Sequence, residues 1–119
     1  MKRTGPTNEH TSNLIGDLYS LAKKEKAKIW KRVAEELNRP TRKRREVNIF
    51  RINFHTKDNE TIIVPGKVLG NGELDHKVNV AAWNFSETAK KKIISSGKAM
   101  SISELIKENP KGNRVRIIG

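Results

Sequence analysis

Apolar positions in the first third of the chain recur at three- and four-residue steps. Leu14, Ile15, Leu18, Leu21 and Ala22 make one stripe, which predicts a helix from Asn13 to about Lys26. Thr11, Ser12 and Asn13 offer N-cap side chains before it. Lys23, Lys24, Lys26 and Lys28 crowd its C-terminal turn, where the helix dipole favours cations. Ile29, Trp30, Val33, Ala34 and Leu37 repeat the pattern and predict a second helix over Lys28 to Leu37, which Pro40 keeps from continuing. Trp30 is expected as a core anchor of that helix, with base stacking as its other use.

The period then becomes ambiguous. Phe50, Ile52 and Phe54 alternate as in a strand, yet Asn48 stands where it could cap a short helix, so the pattern leaves Val47 to Phe54 open. Thr61-Ile62-Ile63-Val64 is β-branched throughout and predicts a strand, broken by Pro65-Gly66 and resumed by Lys67-Val68-Leu69. Asn71-Gly72 is a tight-turn pair, after which Val78 to Trp83 reads as a returning strand. Ser86 is placed to cap the next helix, with Glu87 near its positive end and Gly97 at its C′ position. Ala89, Ile93 and Ile94 should face inward there, and Lys90, Lys91 and Lys92 outward. Lys98-Ala99-Met100 predicts a short strand. Ser101 and Glu104 have capping-box spacing for a short helix that Asn109-Pro110 ends, and Arg114 to Ile118 predicts a last strand. Phe54, Phe85 and Trp83 are expected in the core. Helices come first, then strands and helices mixed, with no internal repeat.

Composition narrows the class. At 119 residues one compact domain with a modest core is expected. Cysteine is absent, which excludes disulfides and thiolate metal sites. No apolar run approaches the roughly 18 residues of a membrane span, and the basic start Met1-Lys2-Arg3 is followed by no apolar signal core. A soluble intracellular protein is the expectation. Charge changes the picture most: 25 Lys and Arg against 13 Asp and Glu leave a formal net charge of +12. The excess is spread along the chain, with one knot, Arg39-Pro40-Thr41-Arg42-Lys43-Arg44-Arg45. Like charges so close repel within the Debye length of about 8 Å, and a phosphate backbone would relieve that repulsion while releasing counterions. A solvated loop or an import signal would also carry such a knot; the chain-wide excess favours nucleic acid. The first dozen residues are expected to be irregular.

Catalytic chemistry is scarce. His10, His55 and His76 lack the spacing of a helical metal pair, and Asp75 beside His76 has no evident nucleophile. Gly66-Lys67 fails as a P-loop, because Thr61 stands where the motif needs glycine and Val68 where it needs Ser or Thr. Gly70-Asn71-Gly72 is half a dinucleotide fingerprint, with Asp75 at the third glycine. The triplets Asn59-Glu60-Thr61 and Asn84-Phe85-Ser86 carry no meaning without secretion. Zinc-finger spacing and a leucine heptad are both absent, and six aromatic residues are too few for a base-stacking sheet. No enzyme activity, cofactor, metal, membrane or small-molecule substrate is expected. The residues alone indicate recognition of nucleic acid through backbone and shape.

Several stretches carry a resemblance. Val64-Pro65-Gly66-Lys67-Val68-Leu69-Gly70-Asn71-Gly72-Glu73-Leu74, then Val78-Asn79-Val80-Ala81-Ala82 and Phe85-Ser86, resemble protein eighteen-e of the archaeal and eukaryotic large ribosomal subunit, a relative of bacterial large-subunit protein fifteen. Val47-Asn48-Ile49-Phe50-Arg51-Ile52 and Asn109-Pro110-Lys111-Gly112 with Val115-Arg116-Ile117-Ile118 are similar to two further segments of that family. The likeness covers nearly the whole chain, more weakly before residue 28. Phe50 departs from it, standing where the family usually has a small residue.

The resemblance implies an α/β domain, an irregular superhelix of strand–strand–helix units over 47–119. A helical segment over 13–46 ending in the basic loop would precede it, with a basic tail over 1–12. It tips Val47 to Phe54 towards a short helix. It implies a structural rRNA-binding constituent of the large subunit, cytoplasmic in the ribosome, among neighbouring large-subunit proteins. Without the long basic C-terminal extension of eukaryotic members, an archaeal type is expected. The cations expected to hold rRNA phosphates are Arg39, Arg42, Lys43, Arg44 and Arg45, then Lys2 and Arg3, with Arg51 and Lys67 added from the family motifs. Gly66, Gly70 and Gly72 are expected to serve backbone geometry. The rivals are a free nucleic-acid-coating or chromatin-type protein and a small RNA-acting enzyme using Asp75 and His76.

Overall fold

Two amphipathic helices lead into a parallel sheet in a computed structural model that describes residues 9–38 and 45–118, with side chains over 13–38 and 46–118. Helix α1 spans Glu9–Glu25, so it starts before the predicted boundary, and Thr11, Ser12 and Asn13 lie within it rather than capping it. Its stripe buries Leu14, Ile15 and Leu18. The helix closes on Lys26, which takes a left-handed φ of 55°, with the Ala27 amide donating to the Ala22 carbonyl at 3.1 Å. Helix α2, Lys28–Leu37, has the predicted limits and buries Trp30, Val33, Ala34 and Leu37. Trp30 is the expected anchor: fully buried, it donates its indole N–H to the Pro110 carbonyl at 2.7 Å and ties α2 to the C-terminal segment.

The ambiguous stretch splits into strand β1, Arg45–Asn48, and helix α3, Ile49–His55. Ile49 and Ile52, three apart, are buried, whereas Phe50 and Phe54 point outward. The helical period wins, and Phe54 is a surface residue, 82% exposed, against its predicted core place. Asn48 does hold the N-cap position, but its side chain forms no capping bond. The Asn71 carbonyl takes that role by accepting from the Phe50 amide at 2.9 Å.

Strand β2, Glu60–Leu69, continues through Pro65-Gly66 instead of breaking. Strand β3 is Val78–Phe85. Val64 lies opposite Ala82 and Lys67 opposite Asn84, so β2 carries one extra residue there. That bulge accommodates Pro65, which has no amide to give the ladder. Beyond β3 come α4 (Glu87–Ile94), β4 (Lys98–Ser101), α5 (Ile102–Glu108) and β5 (Val115–Ile117). Ser86 caps α4 by accepting from the Ala89 amide at 3.2 Å, and Ser101 with Glu104 forms both bonds of the capping box on α5. Three expectations on α4 change. Ile94 is 54% exposed, and Lys92 is turned inward to bond loop carbonyls. Gly97 lies beyond the C′ position, and a Cβ there would overlap the Val78 carbonyl, so close approach accounts for this glycine.

Among the described residues every strand pairing is parallel, in the order β1-β2-β3-β4. Strand β5 pairs with Thr61 to Ile63 of β2, and β1 pairs with Gly66 to Leu69 further along the same strand. A parallel sheet needs apolar cover on both faces. One face packs α1, α2 and α5 through Leu18, Trp30, Leu37, Ile63, Ala81 and Leu105. The other packs α3 and α4 through Ile49, Ile52, Ile62, Val64, Val80 and Ile93. Trp83 and Phe85 are half-buried against these two clusters. The result is α/β with N-terminal helices preceding the sheet.

Parallel pairing of β2 and β3 rules out a hairpin at Asn71-Gly72. Glu60 lies opposite Val78, so residues 70–77 must return along nearly the whole of β2. At roughly 3.3–3.6 Å per residue, so short a connection can do this only nearly extended. It runs as a strap past α3 and α4. The Asn71 carbonyl meets α3, Asn53 Oδ1 accepts from the Asp75 amide at 3.0 Å, and Asp58 accepts from the Lys77 amide at 3.0 Å. Lys92 donates to the carbonyls of Gly70 and Gly72 at 2.8 and 2.6 Å. Gly72, at φ 102°, lies where a Cβ would come within 2.6 Å of the Phe50 amide nitrogen. Its geometric role, expected from a turn, belongs to the strap.

Candidate nucleic-acid interface

Most of the predicted phosphate contacts, Lys2, Arg3, Arg39, Arg42, Lys43 and Arg44, lie outside the described residues. Arg45 opens β1 opposite Gly66 in backbone register; its side chain is likewise outside the description. Arg51 is exposed on α3 and forms no hydrogen bond or ion pair with a described residue. Lys67 is half-buried in β2, in register with Glu46 and Asn84. Alternation along β2 sets Lys67 on the face opposite Val68, away from α3. The fold therefore does not bring Arg51 and Lys67 together.

What it does gather is a second group of cations. The α1–α2 corner carries Lys23, Lys26, Lys28 and Lys31 around a depression of about 430 Å³ floored by Tyr19, Ala22 and Ala27. Lys24 and Lys107 flank an adjoining depression between α1 and α5. The 110–114 loop joins this end of the molecule, because Gly112 seats against Ile29 and Trp30, and it adds Lys111. In the sequence the α1 lysines read as complements to a helix dipole. The signal for more was their density, but only the packing of α5 and the C-terminal loop beside them makes one surface.

Other charges are committed to the fold. Arg116 pairs with Glu60 at 2.5 Å and also donates to the His55 carbonyl. The hydrogen bond from Arg116 holds the Glu60 carboxyl below the usual range, partly opposed by desolvation. Lys98 pairs with Glu108 at 2.9 Å, and that bond raises the Lys98 pKa. His76 uses both ring nitrogens, one 2.8 Å from Asp75 Oδ1 and the other 2.7 Å from the Thr56 hydroxyl, which itself donates to the Ile52 carbonyl. The bond to His76 lowers the Asp75 pKa. The Asp75–His76 pair thus ties the strap to the end of α3. Among the described residues no group of three or more His, Cys, Asp or Glu is placed to hold a metal ion, and no helix is long and apolar enough to cross a membrane.

An α/β scaffold whose carboxylates secure its own loops while lysines crowd one end has the physical character of a polyanion-binding protein. Comparison with known proteins makes the class specific. Residues 15–99 match the family described as ribosomal proteins 50S-L15, 50S-L18e, 60S-L27A, and the chain belongs to that family. It is 49% identical over 113 residues to the large ribosomal subunit protein eL18 of Methanoregula boonei, covering 94% of this chain and 93% of that protein. It is 44% identical over 119 residues to the eL18 of Methanothermobacter thermautotrophicus, covering 99% and 98%. The eL18 of Haloarcula marismortui is 46% identical over 112 residues, covering 94% and 97%. The resemblance carried by Val64 to Leu74 and Val47 to Ile52 is confirmed.

Proposed function

We propose that this protein is a structural constituent of the large ribosomal subunit, in the cytoplasm, that binds and stabilises folded rRNA through phosphate-backbone contacts. The observation that carries the reading is identity of 44–49% over nearly full length to proteins named as large-subunit components. The net charge of +12 supports it physically. No catalytic step is assigned to the chain. Its partners are large-subunit rRNA and neighbouring large-subunit proteins. The contacts are Arg39, Arg42, Lys43, Arg44 and Arg45 in the basic loop, Lys2 and Arg3 ahead of α1, and Arg51 and Lys67 in the unit over 47–119. The α1–α2 corner adds Lys23, Lys26, Lys28 and Lys31.

Two measurements test this. The protein should co-sediment with the large subunit in stoichiometric amount when extracts are run in high-magnesium buffer; recovery only in free or chromatin fractions would refute it. Changing Arg42, Lys43, Arg44 and Arg45 to Gln should lower the log–log salt slope of rRNA binding by roughly 0.7–0.9 for each phosphate no longer neutralised. An unchanged slope removes the basic loop from the interface.

A further inference from the structure

Helix α3 presents a face that the fold does not use. Phe50 and Phe54, four residues apart, are 58% and 82% exposed in a chain holding only three Phe, two Trp and one Tyr. The Phe54 ring stands edge-on to the His55 ring, with centroids 5.0 Å apart. A depression of about 460 Å³ opens beside it, lined by Phe54, His55, Thr56, Lys57, Glu60 and Arg116.

The charges around this face are unequal in a telling way. Three of the four carboxylates of the 57–77 segment are paired within the fold, Glu60 with Arg116, Glu73 with Lys92 and Asp75 with His76, and Asp58 accepts from the Lys77 amide. Arg51, three residues before Phe54 on α3, and the Lys57 ammonium are exposed and form no ion pair among the described residues, although the Lys57 charge also helps to lower the Glu60 pKa. The face therefore offers open aromatic rings between cations that hold no ion pair. A protein-docking face would show an apolar centre depleted of charge. Aromatic rings flanked by cations are what an unstacked nucleobase with its phosphates requires.

Building on the rRNA-binding reading, we infer that the outer face of α3 is a base-stacking site. An unpaired rRNA base lies on the Phe54 ring with Phe50 beside it, and Arg51 and Lys57 take the adjoining phosphates. The site reads no sequence, because every base has a π-face.

Filter binding of the full chain to deproteinised archaeal large-subunit rRNA, across a salt series, tests this. Phe54→Ala should weaken binding about five- to 150-fold, leave the salt slope unchanged because no cation is removed, and leave the unfolding midpoint unchanged because the ring is exposed. Phe54→Trp should retain the affinity, and Arg51→Gln should lower the slope by roughly 0.7–0.9. Wild-type affinity for Phe54→Ala would overturn the stacking site while leaving the rRNA-binding reading intact. If that variant bound rRNA normally yet dropped out of assembled subunits, the face would be a protein contact, which equally overturns the inference. Failure of the unaltered protein to bind rRNA with any salt dependence would defeat the underlying reading itself.

Discussion

Lys26 shows how a single position can serve two ends. It adopts a left-handed φ of 55° at the close of α1, a conformation that costs an L-residue roughly 1–2 kcal/mol and glycine almost nothing. Replacement by Gly should therefore stabilise the isolated protein by up to about 1 kcal/mol, the remainder being offset by greater freedom of the unfolded chain. Urea unfolding would show a raised midpoint, and the same variant should bind rRNA more weakly because a cation is gone from the corner. A lowered midpoint would mean that the Lys26 side chain stabilises the helix end. Asn48 is a different case. Its buried Oδ1 has no hydrogen-bond partner among the described residues, although the residue type and position suit a helix cap. The Phe50 amide that it would have served is taken by the Asn71 carbonyl.

Among the elements, the strap over 70–77 carries the most consequence, because it is held at both ends and in the middle by hydrogen bonds rather than by a helix of its own. Lys92 supplies two of them. Changing Lys92 to Met would leave two half-buried carbonyls without a donor, and should cost about 1–3 kcal/mol. Amide exchange should rise in 70–77 while β2 stays protected; equal exchange in both proteins would show that Lys92 is dispensable. The pairing of β2 with β5 is fastened by Glu60 and Arg116 across their outer side. The Glu60 pKa is lowered in the folded state, so its stabilising effect is complete above the ordinary Glu value of about 4.3 and is lost as pH falls through the lowered value. Glu60→Gln should flatten that acid limb without abolishing it, since Asp75 and Glu104 are lowered too. Thermal melts between about pH 3 and pH 6 would show the difference, and superimposable curves would remove Glu60 from the account.

Across the molecule, the cations sort into those that hold the fold and those left for a partner. Lys92, Lys98 and Arg116 belong to the first set through Glu73, Glu108 and Glu60. On the proposed function, Lys23, Lys26, Lys28 and Lys31, which form no ion pair with a described residue, belong to the second. Changing those four to Gln should leave the folded protein intact and reduce the salt slope of rRNA binding, again by roughly 0.7–0.9 for each phosphate left without its cation. Matched circular dichroism with an unaltered slope would assign this end of the molecule to solvent.

Local signals were enough for much of the chain. Helix α2, the Ser86 cap and the Ser101–Glu104 capping box are written in residues only three or four apart, and short-range hydrogen bonds obey such patterns whatever the distant context. The polyanion-binding character was equally plain, because net charge is additive along a chain. Strand direction was not. Asn71-Gly72 carries the composition of a hairpin turn, but whether two strands run parallel depends on partners far apart in sequence, here β1 and β5 sharing one edge of β2. The same holds for the outward Phe50 and Phe54, the inward Lys92 and the lysine-rich corner. Each is set by which helix packs on which face of the sheet, and burial on both faces is a property of the assembled layers rather than of any one segment.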